Sequence, residues 1–488
     1  MRSIVLLVVT ATAQYYNYSD AFQNLEDHLQ FLDCPLEDRA PGFPREVDLD
    51  FFLNMRHTAS FDLPSQTVLL QHPFDMHPGL VHFRITNGTV TVRNRAIHTK
   101  AHRSFQEHGQ LLRTVYLAKP PLVRSDQRFS FAGSLPVITL VPFSDGTIKP
   151  TTDSASIDMV RRNDLSTYQQ SEIFSNRVVG LYTNSHYEMG YDRATRKVYS
   201  FVSGILGTFV LAQPLDRSLP RLPIAWFANR NTVGHQVLQT ENWIIVPSVL
   251  LRLDDTFKII TSQLLELRGS PGRAPWFLVS KRHPHRRIRV QGPPNSYAQH
   301  WSNCFEIDEG HIQCSTPEGT CAGAPPWDLG QLIAGDATVR SRICPWDCVI
   351  DLHHKIVDCN ENVPKTSIAL PTVDPRVRGS TTTVEWGTSD FFTRTSEVES
   401  HVLRRTINSI IQTTDTDVIF DEVKMVPTGA KEGEGVVMAI GTSKTDPSAH
   451  WLCVFDATSL AALGRYKIPF ELNVYIHGIV VDRKGDFW

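Results

Sequence analysis

Among the nineteen histidines of the chain, four stand in settings that suit metal chemistry: His186, His235, His300 and His477. His186 closes Leu181-Tyr182-Thr183-Asn184-Ser185-His186, at the end of a strand-like run. His235 opens Val233-Gly234-His235-Gln236-Val237, which leads into Trp243-Ile244-Ile245-Val246. His300 lies in Tyr297-Ala298-Gln299-His300-Trp301, and His477 in Val474-Tyr475-Ile476-His477-Gly478. Neutral imidazole is a good ligand for first-row divalent metals, and four of them leave coordination positions open for a reactant. A lone histidine in a strand-rich chain is more often packed or solvated than ligating. The spacings of 49, 65 and 177 residues are too wide for a local finger, so only a fold that closes on itself brings the four together.

The elements available to do so are short β-type runs of four to seven residues separated by Gly, Pro, Asn or Asp. They include residues 81–85, 90–93, 178–182, 197–202, 243–246 and 451–455, and 81–93 reads as a hairpin closed by Asn87-Gly88. Helical periodicity is confined mainly to 20–31 and 397–411, and no strand–helix alternation runs through the chain, which disfavours a parallel α/β sheet. With 488 residues, 41% hydrophobic and 20% charged, the chain has ample material for a large core, which excludes disorder, collagen and coiled coil. A formal net charge of −3 supplies no field to hold a polyanion, so no nucleic-acid partner is expected. The longest apolar candidate, 201–212, is interrupted by Ser203, Gly204, Gly207 and Thr208 and is too short for a spanning helix.

At the N-terminus, Arg2 precedes an apolar run at 4–9 and then Ala11-Thr12-Ala13, the order of a signal peptide cleaved after Ala13; a buried first strand or an uncleaved tether is the alternative. Residues 1–13 are therefore read as a signal peptide and 14–45 as an N-terminal extension. Asn17-Tyr18-Ser19 and Asn87-Gly88-Thr89 are glycosylation sequons. Six of eight cysteines, Cys304, Cys314, Cys321, Cys344, Cys348 and Cys359, cluster in one stretch, 304–359. With export, at least two disulfides are expected among them; a metal knuckle of Cys344 and Cys348 with His353 and His354, or free thiols, are the competing readings. Nothing in the sequence pairs Cys34 with Cys453.

Together these residues resemble the carotenoid cleavage oxygenase family. The likeness begins at Phe74-Asp75, Gly79-Leu80-Val81-His82-Phe83 and Asn87-Gly88-Thr89-Val90 and continues through Asp164-Leu165-Ser166-Thr167. It passes through all four histidine contexts and ends with Phe455-Asp456-Ala457 and His477-Gly478, covering roughly residues 45–480. The resemblance implies an all-β, seven-bladed propeller over 46–488 with few helices, the cysteine-rich stretch being an insert. It also implies one non-haem Fe(II) held by His186, His235, His300 and His477. In the family three glutamates accept hydrogen bonds from ligand imidazoles; the matching positions here are Asp153, Ala369 and Glu422, of which only Glu422 keeps the residue type. The implied activity is cleavage of a conjugated carbon–carbon double bond with O2 to give two carbonyl products, on an apolar polyene or a stilbene. Stilbene-cleaving relatives carry Lys before the first of those glutamates; here Thr152 precedes Asp153 and Lys149 is out of register, which favours carotenoids or apocarotenoids. The absence of Pro-Asp-Pro-Cys between Arg113 and Arg128 argues against a retinoid isomerohydrolase.

Ala369 supports an alternative, a catalytically silent propeller that binds an apolar ligand or a protein partner. A secreted adhesion or receptor propeller is a third reading. The basic stretch 281–289 reads as a blade edge or turn, with peripheral contact to anionic lipid as the alternative. The signal peptide places the protein in the secretory pathway or outside the cell, whereas the family resemblance points to a cytoplasmic, membrane-associated protein.

Overall fold

The computed structural model describes residues 24–37, 41–58, 60–63, 66–69, 77–99, 102–103, 107, 139–151, 158–169, 182–183, 187–204, 207–228, 232–250, 272–294, 298, 300–320, 343–361, 368–389, 401–406, 409–413, 417–473 and 475–488. These are organised almost wholly as antiparallel strands in a propeller-like arrangement with almost no helix. One sheet runs in the order His28–Asp33, Thr89–Ala96, His77–Thr86, Asp48–Thr58 and Tyr475–Asp482. The last strand of the chain thus pairs with one of the first, with His477 opposite Asn54, and this pairing joins the two ends of the chain in one sheet.

The following sheets form in sequence order. Thr139–Pro142, Thr147–Thr151, Asp158–Arg161 and Thr167–Gln169 make a four-stranded sheet. Lys197–Gly204, Gly207–Pro214 and Leu222–Phe227 form the body of the next. Ala369–Val373, Val384–Thr388, Val402–Thr406 and Ile410–Gln412 make another, and Val418–Pro427, Gly435–Ser443, His450–Asp456 and Ala462–Lys467 a last one, edged by Leu36–Glu37. Between them lies an eight-stranded sheet, so the described residues form six sheets of four or more strands and not seven separate ones. The reason is local. Two four-stranded antiparallel units, one ending in Arg287–Pro294 and the other in Ile356–Glu361, are joined by the single parallel pair Gln291 and Ile356.

The core sits between neighbouring sheets. Strand Asp48–Thr58 sends Leu49, Phe51, Leu53 and Met55 into a cluster with Met438, Leu452 and Val480, while Phe52 enters another with Leu140, Val160 and Ile479. Successive side chains point to opposite faces of a strand, and here both faces are covered, so hydrophobic runs are continuous rather than alternating. Two elements differ from the sequence reading. Of the stretch 20–31, expected to be helical, 20–23 lie outside the described residues and 28–31 begin the edge strand His28–Asp33 on Thr89–Ala96, where the guanidiniums of Arg84 and Arg93 lie 4.5 and 4.3 Å from the ring centre of Phe31. Much of 397–411, also expected to be helical, forms the strands Val402–Thr406 and Ile410–Gln412, where Val402 and Leu403 are both buried because the pair lies on Val384–Thr388. The chain before residue 46 therefore supplies edge strands to two sheets.

The hairpin at 81–93 forms as its turn residues require. Thr86 pairs with Thr89, and Asn87 and Gly88 both take positive φ, 51° and 78°, as a tight two-residue hairpin turn demands. The described part of the cysteine-rich stretch forms a four-stranded antiparallel unit. Its strands Asn303–Glu306, His311–Thr320, Ile343–Asp351 and Ile356–Glu361 align Cys304, Cys314, Cys348 and Cys359 in one row across the sheet. Disulfides join Cys304 to Cys314 and Cys348 to Cys359, and Cys344 is disulfide-bonded as well. Cys34 and Cys453 are free and buried, and burial pushes the Cys34 thiol up to about 12. The basic stretch 281–289 spans the turn between Arg273–Ser280 and Arg287–Pro294, where Arg286 stacks over Trp243 and Lys281 pairs with Asp192.

Candidate metal centre

Three of the four singled-out histidines come together. His235 precedes the short strand Leu238–Gln239, His300 precedes Asn303–Glu306, and His477 lies within Tyr475–Asp482; all three are buried, His477 to 1% exposure. The ring centres of His235 and His300 are 5.3 Å apart and those of His300 and His477 5.4 Å apart, each pair edge to face. With metal–nitrogen distances of about 2.1 Å, two imidazoles on one ion have ring centres roughly 4.5–5.5 Å apart, so each pair taken by itself has a separation that a shared divalent metal would give. Among the described residues no group of three His, Cys, Asp or Glu closes on one point by itself. His186 and Asp153 lie outside the described residues, as does Thr152.

Close backbone approach sets these positions. A Cβ at Gly234 would lie 2.6 Å from the Pro247 carbonyl oxygen and 3.1 Å from the Phe201 ring, so glycine is needed beside His235. At Gly478 a Cβ would lie 2.4 Å from the Phe51 ring. Gln236 ties two of the segments: its Oε1 accepts from the backbone N–H of Trp301 at 2.7 Å, so the neighbours of His235 and His300 are bonded to each other. The Thr316 hydroxyl donates to the carbonyl of His300 at 2.6 Å.

Glu422, in Val418–Pro427, meets His477. Its Oε1 lies 3.0 Å from His477 Nδ1, and its Oε2 accepts the Gly478 N–H at 2.8 Å. A carboxylate only accepts, so Nδ1 carries the hydrogen and the lone pair of Nε2 is left for a metal. Burial, with His300 nearby, holds His477 well below the ordinary imidazole value, which keeps it neutral as a ligand must be. Burial raises Glu422, opposed first by Lys424 and then by the Gly478 N–H.

Lys424 sits two residues beyond Glu422 and, by strand alternation, on the same face. It is 1% exposed, its Nζ is 3.1 Å from Glu422 Oε1, and it also pairs with Glu188 Oε1. Burial would lower Lys424, but Glu188 and Glu422 outweigh it and hold the ammonium above its usual range. Glu188 lies two residues after His186, so a buried chain of charges links the segment following His186 to Glu422 and His477. Lys424, Glu188 and Gln236 were not singled out in the sequence; their only signal is position beside a candidate ligand or its partner. Ala369 opens the strand Ala369–Val373, buried at 5% exposure, and its methyl group accepts no hydrogen bond.

The fold and this cluster define a β-propeller-like protein that gathers buried imidazoles from distant segments, one of them fixed by a buried glutamate. The family model described as retinal pigment epithelial membrane protein matches residues 40–482, and the chain belongs to that family, the carotenoid oxygenase family. A search of the curated proteins found no match. Among solved structures it is similar to the lignostilbene dioxygenase of Pseudomonas brassicacearum, with a TM-score of 0.74 at 16% identity over 94% of this chain and 96% of that one. It is also similar to the cobalt-substituted apocarotenoid oxygenase of Synechocystis, with a TM-score of 0.74 at 16% identity over 95% and 98% of the two chains. At this identity the likeness is one of fold.

Proposed function

We propose that the protein is a non-haem Fe(II) oxygenase that cleaves a conjugated carbon–carbon double bond of a carotenoid or apocarotenoid with O2 to give two carbonyl products. The observation that carries this is the meeting of His235, His300 and His477, with the Nδ1–H of His477 held by Glu422. His186 completes the ligand set in this reading, and Asp153 is a second carboxylate partner. When bound, ferrous iron supplies open positions for activating dioxygen beside the alkene. The protein's share is to keep the imidazoles neutral, fix their tautomers and exclude water. Counting the two halves of the eight-stranded sheet separately gives a seven-bladed ring, with the histidines toward its axis.

The disulfides Cys304–Cys314 and Cys348–Cys359 support export through the secretory pathway, because such bonds persist in oxidising compartments. Ala369 favours a second reading, a silent propeller that binds an apolar ligand, since one carboxylate partner of the family pattern is missing. Anaerobic reconstitution with Fe(II), followed by aerobic incubation with a carotenoid and stilbene panel, separates the two. Stoichiometric iron and paired carbonyl products support the oxygenase. Iron uptake without products from any polyene favours the silent propeller, and products from stilbenes alone move the substrate class.

A further inference from the structure

A cavity of about 590 Å³ lies where Tyr191–Asp192, residues 239–241, the loop 375–380 and the chain end 486–488 meet. Its carboxylates are engaged. Asp192 pairs with Lys281 Nζ at 3.1 Å, Asp486 with Arg193 and Arg196 at 3.1 and 2.7 Å, and Glu241 with Arg282 at 3.6 Å. Arg376 on the same wall is doubled onto Asp374. Two further cations on the lining, Lys197 and Arg378, have no carboxylate within ion-pair distance among the described residues.

Arg378 is the more telling of the two. One terminal nitrogen donates to the carbonyl of Glu188 at 2.7 Å, while Nε is buried with no acceptor among the described residues. A half-buried guanidinium whose Nε is shut off from water and whose bond is to a neutral carbonyl bears a desolvation cost that a charged acceptor would offset. The loop that carries it is held in place: Gly379, at φ +81°, donates its N–H to Asn303 Oδ1 at 2.9 Å, and Asn303 Nδ2 donates to the carbonyl of Ser380 at 2.7 Å. Burial lowers the affinity of Arg378 for its proton, opposed by Glu188, Tyr191 and Asp374. The cavity is larger than one inorganic anion needs.

We infer that this cavity is a second binding site, for a small organic molecule bearing a phosphate or carboxylate group whose oxyanion lies on Arg378 with Lys197 at the rim. The site is separate from the histidine cluster and stands whether or not the oxygenase reading holds. Calorimetric titration of the intact protein with pyrophosphate and with citrate tests it. Binding of either is expected, weakened about 10- to 100-fold by Arg378→Gln, the worth of a charge-assisted bond, and about two- to fivefold by Lys197→Gln. The stronger of the two anions identifies the group the site prefers. A Kd weaker than about 10 mM for both anions overturns the proposal, as does equal binding by Arg378→Gln. Should Arg378→Gln fail to fold, Lys197→Gln on the exposed rim decides, and affinity equal to that of the unsubstituted protein overturns the proposal.

Discussion

His235, His300 and His477 reach one another from three distant segments, whereas His77, His98 and His102 come from a single stretch of chain and meet beside the first sheet. Apart from the half-buried His98 these imidazoles are buried, and the two groups are oriented differently. In the first, rings stand edge to face and Glu422 takes the Nδ1–H of His477, so a lone pair is directed away from the protein's own acceptor. In the second, His102 Nδ1 lies 3.1 Å from His77 Nδ1 and the rings of His98 and His102 stack 4.8 Å apart, so the imidazoles turn toward each other. Orientation by an outer acceptor, and not the number of histidines, separates a candidate metal centre from a packed cluster.

Replacement at equivalent positions of the two groups gives the largest expected contrast. His477→Ala should lower iron affinity more than about 100-fold with the β-sheet circular dichroism intact, because it removes a ligand and not merely a ligand's support. His102→Ala should leave iron content unchanged, measured by metal analysis after reconstitution. Equal loss in both variants would break the comparison.

Lys424→Met probes the charges behind the first group. It leaves Glu188 and Glu422 buried without their shared cation, a change worth about 3–5 kcal/mol of stability by chemical denaturation. A loss under about 1 kcal/mol would mean that the two carboxylates are not held charged by Lys424.

The second group should show itself in acid. Burial, with His98, His57 and Arg103 nearby and Asp27 opposing, depresses His102 to about 4. The unfolded chain therefore takes up a proton first as pH falls from the ordinary 6.5, so stability is full above that value and is lost on the way down to 4. The loss is on the order of 3 kcal/mol for this group. His82, also depressed to about 4 by burial against the opposing bond to Asp50, adds to it in the same window. Urea midpoints between pH 7.5 and 4.5 measure the slope, and His102→Gln should flatten it; an unchanged slope would count against a neutral buried His102.

The smallest effect sharpens the comparison most. Glu422→Gln keeps an acceptor for the His477 Nδ1–H but removes the charge, and iron affinity should fall about 10- to 100-fold while stability changes little. A variant with undiminished affinity would show that the hydrogen bond, and not the charge, does the orienting.

Much of this was legible in the residues. Asn87-Gly88 specified its hairpin because few other pairs accept two positive φ values in succession. The clustered cysteines foretold disulfides, and the hydrogen bond of Glu422 to His477 is where the resemblance implies an outer carboxylate. The strands at 28–33 and 402–412 do not read as strands because neither alternates: His28–Asp33 is an edge strand of exposed and half-buried positions, and Val402 and Leu403 are buried in succession. Asp164 and Asp456, in the turns the resemblance marks, accept from backbone N–H groups two positions on, and the same device recurs at Asp145, Asp216 and Asp351, which no motif in the sequence singles out.

What the sequence determined by itself was local: turn chemistry, the residue types of a candidate metal site and the glycines beside His235 and His477. What only the tertiary structure decided was which distant groups share a buried space. Lys424 becomes the partner of both Glu188 and Glu422, and Arg378 the donor to the Glu188 carbonyl, because non-adjacent strands and loops converge there. A charge in water costs little wherever it falls in the chain, whereas a buried one must find its partner across the fold. Pairings of that kind leave no period or spacing in the sequence to read.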